Sequence, residues 1–273
     1  MIDWVLCMKN IFFNDLKYIE CRYTVNSSEC YTSHFHEEYS IGYVLDNDVI
    51  FKLKNKEYII NNNHLVLINP YETHSCNCIE NSTRSYFMLY IKKDYLKKIL
   101  KTKTPVTFKI NITDNKNIIK HYLHLCNNLI DSKIDILYKQ EKIEEFILMI
   151  SQYLLFLSNE EYNVSLSKLY LAKRYILEHF KENLTLEQIS KNSGVSKYYL
   201  IRLFKKNFGI TPYEYLINLR IVAAKKLILE GLPLSQVALE VGFSDQSHLN
   251  RFFKRIVACP PGEYKKSIFY QDL

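Results

Sequence analysis

The spacing of apolar positions divides this chain into three stretches. From residue 10 to 92, short β-branched or aromatic runs alternate with polar turns. Ile41–Leu45, Val49–Leu53, Glu57–Ile60, His64–Ile68 and Arg84–Ile91 read as strands. Asp46-Asn47-Asp48, Lys54-Asn55-Lys56 and Asn61-Asn62-Asn63 read as turns between them. Many short antiparallel strands predict a sandwich or barrel. After residue 92 the period lengthens, and Asp94–Leu100, Asn115–Ile130 and Ile136–Leu157 read as helices. In the last of these, Ile143, Ile147, Ile150, Leu154 and Leu157 form one narrow seam. That is the spacing of a helix packed lengthwise on another, either in its own domain or in a second copy of the chain. Asn159–Ser165 is polar and acidic without an apolar period and reads as a linker. From Ser167 onward the pattern is helical.

The helical third contains an internal repeat. Leu186-Glu187-Gln188-Ile189-Ser190 through Gly194-Val195-Ser196 aligns with Leu234-Ser235-Gln236-Val237-Ala238 through Gly242-Phe243-Ser244, 48 residues on. The following Leu200-x-Arg202-Leu203-Phe204-Lys205-Lys206 aligns with Leu249-x-Arg251-Phe252-Phe253-Lys254-Arg255, 49 residues on, so one residue is inserted after the second turn. Each repeat reads as a helix-turn-helix. Thr185 caps the first helix, Gly194 supplies the positive φ of the turn, and Ser196 caps the second helix. Thr211-Pro212 then opens a long helix to about Glu230, with proline in a first turn where its missing N–H costs nothing. Some 18 residues give a rod of ~27 Å. Successive major grooves on one DNA face lie ~34 Å apart, so such a rod can hold two reading heads about one turn apart.

Charge follows the same division. Ser167 to Leu273 holds 17 Lys and Arg against 9 Asp and Glu, while the rest holds 19 against 20. The positive field therefore belongs to the helical third, and a polyanion is its natural partner. Seven cysteines, an odd number without a C-x-x-C pair, read as reduced thiols. Residues 1–4 show no signal-peptide pattern. The longest apolar run, Phe146–Leu157, is broken by Ser151-Gln152 and falls short of the ~20 residues that cross a bilayer. A cytoplasmic protein without a membrane partner is expected.

On these residues the chain resembles the AraC/XylS family of transcription regulators. The resemblance is carried by Gly194-Val195-Ser196, Leu200-x-Arg202-Leu203-Phe204-Lys205-Lys206-x-Phe208-Gly209-Ile210-Thr211-Pro212, Val241-Gly242-Phe243-Ser244-Asp245-Gln246-Ser247, Arg251-Phe252-Phe253-Lys254-Arg255 and Pro261-x-Glu263-Tyr264-Lys265. Two departures stand near the last helix. The family usually has Gly at Ala258 and Ser or Thr at Pro260. Helical spacing and the resemblance assign Tyr198, Ile201 and Arg202 of the first unit, and Gln246, Ser247, Asn250 and Arg251 of the second, to base edges. Ser196, Lys197, Lys205, Lys206, Ser244, Lys254 and Arg255 are assigned to phosphates.

Over about residues 15–92 the chain also resembles the cupin-like sensory domain common in that family. The stretches that carry this are His34-Phe35-His36-Glu37-Glu38-Tyr39 and Leu67-Ile68-Asn69-Pro70-Tyr71-Glu72-Thr73-His74. His36, Tyr43, His74 and Tyr86 are candidate liners of an effector pocket. Cupin enzymes hold a metal with three His and one Glu. Ser40 and Ile41 stand where that Glu is expected, and the Pro70-to-His74 spacing is one residue short. No metal, cofactor or catalytic residue is therefore expected, and His34, His36 and His74 read as polar lining.

The expected fold is α+β. A cupin-like sensing domain spans 10–110 and a helical dimerisation segment 111–158. A linker (159–166) leads to a DNA-binding domain of two helix-turn-helix units (167–268). The expected function is a sequence-specific regulator, an activator under a small effector or partner. Double-stranded promoter DNA, RNA polymerase and a second copy of the chain are the partners the resemblance implies. The alternative is a cupin metalloenzyme with an accessory DNA-binding domain.

Overall fold

The computed structural model describes residues 10–13, 16–79, 82–156 and 164–269. Eight strands come first: β1 (Asn10–Phe13), β2 (Ile19–Ser27), β3 (Tyr39–Val44), β4 (Val49–Leu53), β5 (Lys56–Ile60), β6 (Leu65–Ile68), β7 (His74–Cys78) and β8 (Arg84–Ile91). Helix α1 (Lys93–Ile99), strands β9 (Val106–Phe108) and β10 (Ile112–Thr113), and helices α2 (Lys116–Ile130) and α3 (Ile136–Ile150) follow. A 3-10 turn over Ser151–Tyr153 leads into β11 (Leu154–Phe156). The rest is helical: α4 (Val164–His179), α5 (Leu186–Ser193), α6 (Lys197–Phe208), α7 (Pro212–Leu229), α8 (Leu234–Glu240), α9 (Gln246–Val257) and α10 (Pro261–Phe269). The fold is α+β, as the residue pattern implies.

The strands form an antiparallel six-stranded sheet in the order β1-β2-β8-β3-β6-β10 and a three-stranded sheet in the order β5-β4-β7. Strand β3 is buried along its whole length because both faces of the large sheet are covered. Ile41 and Tyr43 join Leu65, Leu67, Phe87 and Leu89 under α2 and α3. Val44 points the other way, to Val49, Phe51, Ile60 and Val66 between the sheets. Successive side chains of one strand thus feed two different cores.

The α3 seam is a correction to one expectation. Ile143, Ile147, Ile150 and Leu154 are buried in the core that α2 and α3 share with the large sheet, so the seam packs inside its own chain. The helix also stops at Ile150, seven residues earlier than its apolar period suggests. The Ser151 hydroxyl donates to the Leu148 carbonyl at 2.6 Å, and Leu154–Phe156 turns into a strand paired with β9. Leu157 lies outside the described residues. So does most of the expected linker, and α4 already begins at Val164, inside it.

In the helical third, the caps are built from the residues that the repeat supplies. Thr185 with Gln188, and Thr211 with Glu214, form reciprocal capping boxes. Ser196 caps α6 by accepting from the Tyr199 N–H at 3.3 Å. In the second unit Asp245, not Ser244, is the cap, and it accepts from the His248 N–H at 2.7 Å. Ser244 instead donates to the Asp245 carboxylate at 2.9 Å. Asp245 stands 49 residues after Ser196, so Ser244 is the inserted residue and α6 and α9 begin in register.

Helix α9 ends at Ala258, whose φ of 63° is left-handed and whose N–H donates to the Lys254 carbonyl at 2.9 Å. Glycine takes this conformation without a clash between Cβ and the carbonyl oxygen, whereas alanine is strained there. Ala258→Gly should therefore raise stability by about 1 kcal/mol. Chemical denaturation with an unchanged slope is the measurement. A destabilised variant would show that the Ala258 methyl contributes more by packing than its backbone costs.

Candidate nucleic-acid interface and interdomain cavity

Helices α6 and α9 each bury one face and expose the other. Leu200, Leu203 and Phe204 of α6 pack against Ile189 of α5. Leu249 and Phe253 of α9 pack against Val237 and Ala238 of α8. The outward faces carry the residues assigned to DNA. Tyr198 is 79% exposed, Arg202, Gln246, Ser247 and Arg251 are exposed, and Ile201 and Asn250 are half-buried. The Arg251 guanidinium lies over the Phe252 ring, 5.2 Å from its centroid. The Asn250 Oδ1 is buried without a hydrogen-bond partner.

The residues assigned to phosphates differ in their present partners. Lys197 pairs with Glu187 at 2.9 Å and Lys205 with Glu214 at 3.5 Å, both within the helical third. Lys206 is exposed, as are Ser196 and Ser244, whose hydroxyls serve the helix starts. Lys254 faces Glu29 of the strand-rich half at 3.6 Å. The Arg255 carbonyl accepts from the Thr32 N–H and hydroxyl, both at 3.2 Å.

The strand-rich half thus touches the rear of both outward-facing helices. At α6, the Asn55 side-chain amide donates to the Lys205 and Lys206 carbonyls at 3.0 and 3.3 Å. A Cβ on Gly209 would stand 2.7 Å from the Lys54 carbonyl oxygen, so only glycine allows that approach. Along α7, Asn218 accepts from the Phe35 N–H at 3.2 Å, and Lys226 pairs with Glu37 at 2.6 Å.

Between the two halves lies a cavity with a mixed wall. The strands contribute Arg22, Tyr43, Tyr86, Met88 and Tyr90, with His34, His36 and His74; α7 contributes Ile221, Val222 and Lys225; α9 contributes Ile256 and Val257. All four expected liners, His36, Tyr43, His74 and Tyr86, are on this wall. Tyr43 offers it little chemistry, since its ring joins the core under α2 and its hydroxyl donates to the Asn62 carbonyl at 2.6 Å. Tyr86 shares a short hydrogen bond with Tyr31.

The three histidines come together. Their candidate ligand nitrogens lie within 4.8 Å of one another. His34 and His74 form an isolated bridge in which each N–H donates to the other's carbonyl, at 2.9 and 2.8 Å. Burial pushes all three pKa values down, that of His74 to about 4, and neighbouring positive charge adds to the effect at His34 and His36. Beside them sits an ion-pair network. Arg22 bonds Glu20 at 2.5 Å and stacks on Tyr90 and Tyr264 of α10. Burial opposes the charge on Glu20, but Arg22 and Lys225 still hold its carboxyl below the ordinary value.

The α7 and α9 residues of this wall do not belong to the pocket expected from the strand-rich sequence. The sequence signal for them is the apolar density of α7, where Leu216, Ile217, Leu219, Ile221 and Val222 stand on more than one face, and such a helix is covered on more than one side.

A family profile described as a helix-turn-helix domain matches residues 189–267, and one described as an AraC-like ligand binding domain matches residues 18–147. An HTH-type transcriptional regulator of Bacillus subtilis strain 168, YbfI, is 34% identical over 233 residues, covering 80% of this chain and 81% of the relative. The multiple antibiotic resistance protein MarA of Salmonella typhimurium is 34% identical over 92 residues, covering 33% of this chain and 72% of the relative. Among solved structures, unsaturated fatty acid bound ToxT from Vibrio cholerae superposes with a TM-score of 0.59 at 15% identity, covering 96% of this chain and 97% of that one. That last likeness is one of fold.

The two assigned classes of DNA contact predict different mutant behaviour. Arg251→Ala should cost about 1–3 kcal/mol on the preferred site and relax the choice at one base pair. Lys206→Ala should weaken all sequences alike and lower the salt slope by about one. Binding to specific and scrambled duplexes across a salt series separates them. Equal weakening of both DNAs by Arg251→Ala, with a lower slope, would move that residue to the phosphate class.

Proposed function

The chain belongs to the AraC family of helix-turn-helix transcription regulators, and from that premise we propose that its interdomain cavity is the effector site and couples directly to the two reading helices. The observation that carries this reading is the shared wall. A molecule in the cavity would touch Arg22 and Tyr90 on the strands, Lys225 on α7, and Ile256 and Val257 at the end of α9. The helix that reads the second half-site and the sheet that senses would then share one ligand.

The wall chemistry suits a small amphipathic carboxylate. Apolar walls would take its body, and Lys225 and Arg22 would attract its charge. The fatty acid in the Vibrio cholerae structure has this character, and we extend that class to the present chain.

We read residues 10–110 as the sensing domain, 111–158 as its helical cover, 159–166 as the linker and 167–268 as the DNA-binding domain. Promoter DNA is the target of α6 and α9, through the base-facing and phosphate-facing residues assigned above. RNA polymerase and a second copy of the chain are the further partners we propose, with activation as the mode, on the strength of the family. The α3 seam does not support the dimer, since it is buried at home. Among the described residues no helix is long and apolar enough to cross a membrane, and we place the protein in the cytoplasm as a regulator without catalytic activity.

In this arrangement Glu29 occupies Lys254, which phosphate would otherwise take. Exposed pairs of this kind contribute about 0–1 kcal/mol. Glu29→Gln should therefore tighten DNA binding by up to about fivefold at low salt, with the gain fading as salt rises. An unchanged affinity at low salt would remove Glu29 from the coupling. For the effector, a fatty acid at 100 times its Kd should raise stability by ~2.7 kcal/mol. Its methyl ester, or the Lys225→Ala variant, should show less. If no carboxylate stabilises a chain that still binds DNA, the proposed effector class is wrong and the DNA-binding reading stands.

A further inference from the structure

Two of the three clustered histidines have their ring protons already assigned by geometry. His34 Nδ1 lies 2.8 Å from the Thr32 carbonyl, and His74 Nδ1 lies 2.9 Å from the Glu72 carbonyl. A carbonyl oxygen only accepts, so each Nδ1 carries the hydrogen and each Nε2 keeps a free lone pair. This is how protein metal sites orient imidazole, with the distal N–H anchored on a backbone carbonyl and the other nitrogen turned to the ion. The paired backbone hydrogen bonds between His34 and His74 fix the two residues' relative position before any ligand arrives. His36 lies two residues from His34 and its ring is 4.9 and 5.1 Å from theirs, centroid to centroid.

We propose that His34, His36 and His74 bind one divalent transition-metal ion, whose remaining position opens into the cavity and accepts the carboxylate of the effector. Three atoms no more than 4.8 Å apart have a common point within ~2.8 Å of each, so closing to a metal–nitrogen contact of ~2.0–2.1 Å asks for a shift of ~0.7 Å per ring. An all-imidazole set suits zinc, nickel, copper or iron. It brings no negative charge, and Arg22 and Lys225 line the same cavity. An ion held here is therefore best completed by an anionic donor, which makes metal and carboxylate mutually favourable ligands. Coupling of that kind is reciprocal. Among the described residues no glutamate joins these histidines as a ligand group, so a carboxylate donor to the ion has to come from the ligand. The effector half of this inference rests on reading the cavity as the sensing site, whereas the metal half rests on the histidines alone.

The test uses the full chain, free of any purification tag and stripped with chelator, titrated with Co(II). The expected result is one equivalent bound per chain, with the visible absorption of a low-coordinate cobalt site. His36→Ala and His74→Ala should each lose affinity by about 100-fold or more, while His121→Ala, on the exposed face of α2, should bind as the parent does. DNA binding by every variant reports folding. Should His36→Ala fail to fold, His36→Gln replaces it. Octanoate should then change the cobalt spectrum and tighten cobalt binding, and its methyl ester should not. Absent stoichiometric cobalt, or equal affinity in folded His36 and His74 variants, overturns the metal site. A stoichiometric cobalt spectrum indifferent to octanoate overturns its role in effector recognition. Retained DNA binding in either case leaves the regulator reading intact.

Discussion

Burial of α7 on more than one side is the constraint on which the rest of the structure depends. Tyr215, Leu216 and Leu219 close the core of the first helix-turn-helix, and Ile217, Ile221, Ala224 and Ile228 close that of the second. Ile221, Val222 and Lys225 also face the cavity against the strands. One helix therefore completes three packed units. Polar groups on it are used to lock its ends and neighbours. Arg220 donates to the Phe180 and Glu182 carbonyls, each at 2.7 Å, tying the segment after α4 to the rod. A tilt of α7 changes the relative placement of α6 and α9 and the shape of the cavity together, because packed cores shift between arrangements rather than deform smoothly.

The contacts that hold the two halves together are of two strengths. The exposed ones include Glu29 with Lys254 and Asn55 with the end of α6. Such contacts are individually worth little in water. The buried ones are different. Arg22 is 6% exposed, is bonded to Glu20, and lies against Tyr264 from the far end of the chain. Removing one member would strand a charge, whereas the intact network adds modest net stability. Docking thus combines a demanding centre with a weak rim. A ligand with different affinity for the docked and undocked states can shift such an equilibrium by that difference and no more.

The strained end of α9 lies close to this centre. Ala258 in a left-handed conformation follows directly on Ile256 and Val257, which line the cavity. Cys259 and Tyr264 beyond it are buried in the core of the second unit. The path from the cavity to α9 is therefore short and covalently continuous.

Local order was legible in the residues themselves. The 48- and 49-residue offsets, the Thr, Ser and Gly positions and the outer faces, polar but for residues such as Ile201, define two helix-turn-helix units, because caps, turns and helical faces depend on neighbours within a few positions. The strand period in 10–92 likewise set the α+β class. Three things depended on distant parts of the chain. The α3 seam has the same spacing whether it meets its own sheet or another copy, and only packing showed the former. Ser244 and Asp245 are both good caps, and only the turn after Gly242 selected Asp245. His34 and His36 are divided from His74 by strands β3 to β6, and spacing alone reads them as lining. Pairing within the strand-rich half brings them together, and closure of their cavity by α7 and α9 requires the two halves of the chain to dock. Docking is decided by the summed shape and apolar area of surfaces far apart in sequence, which no local period encodes.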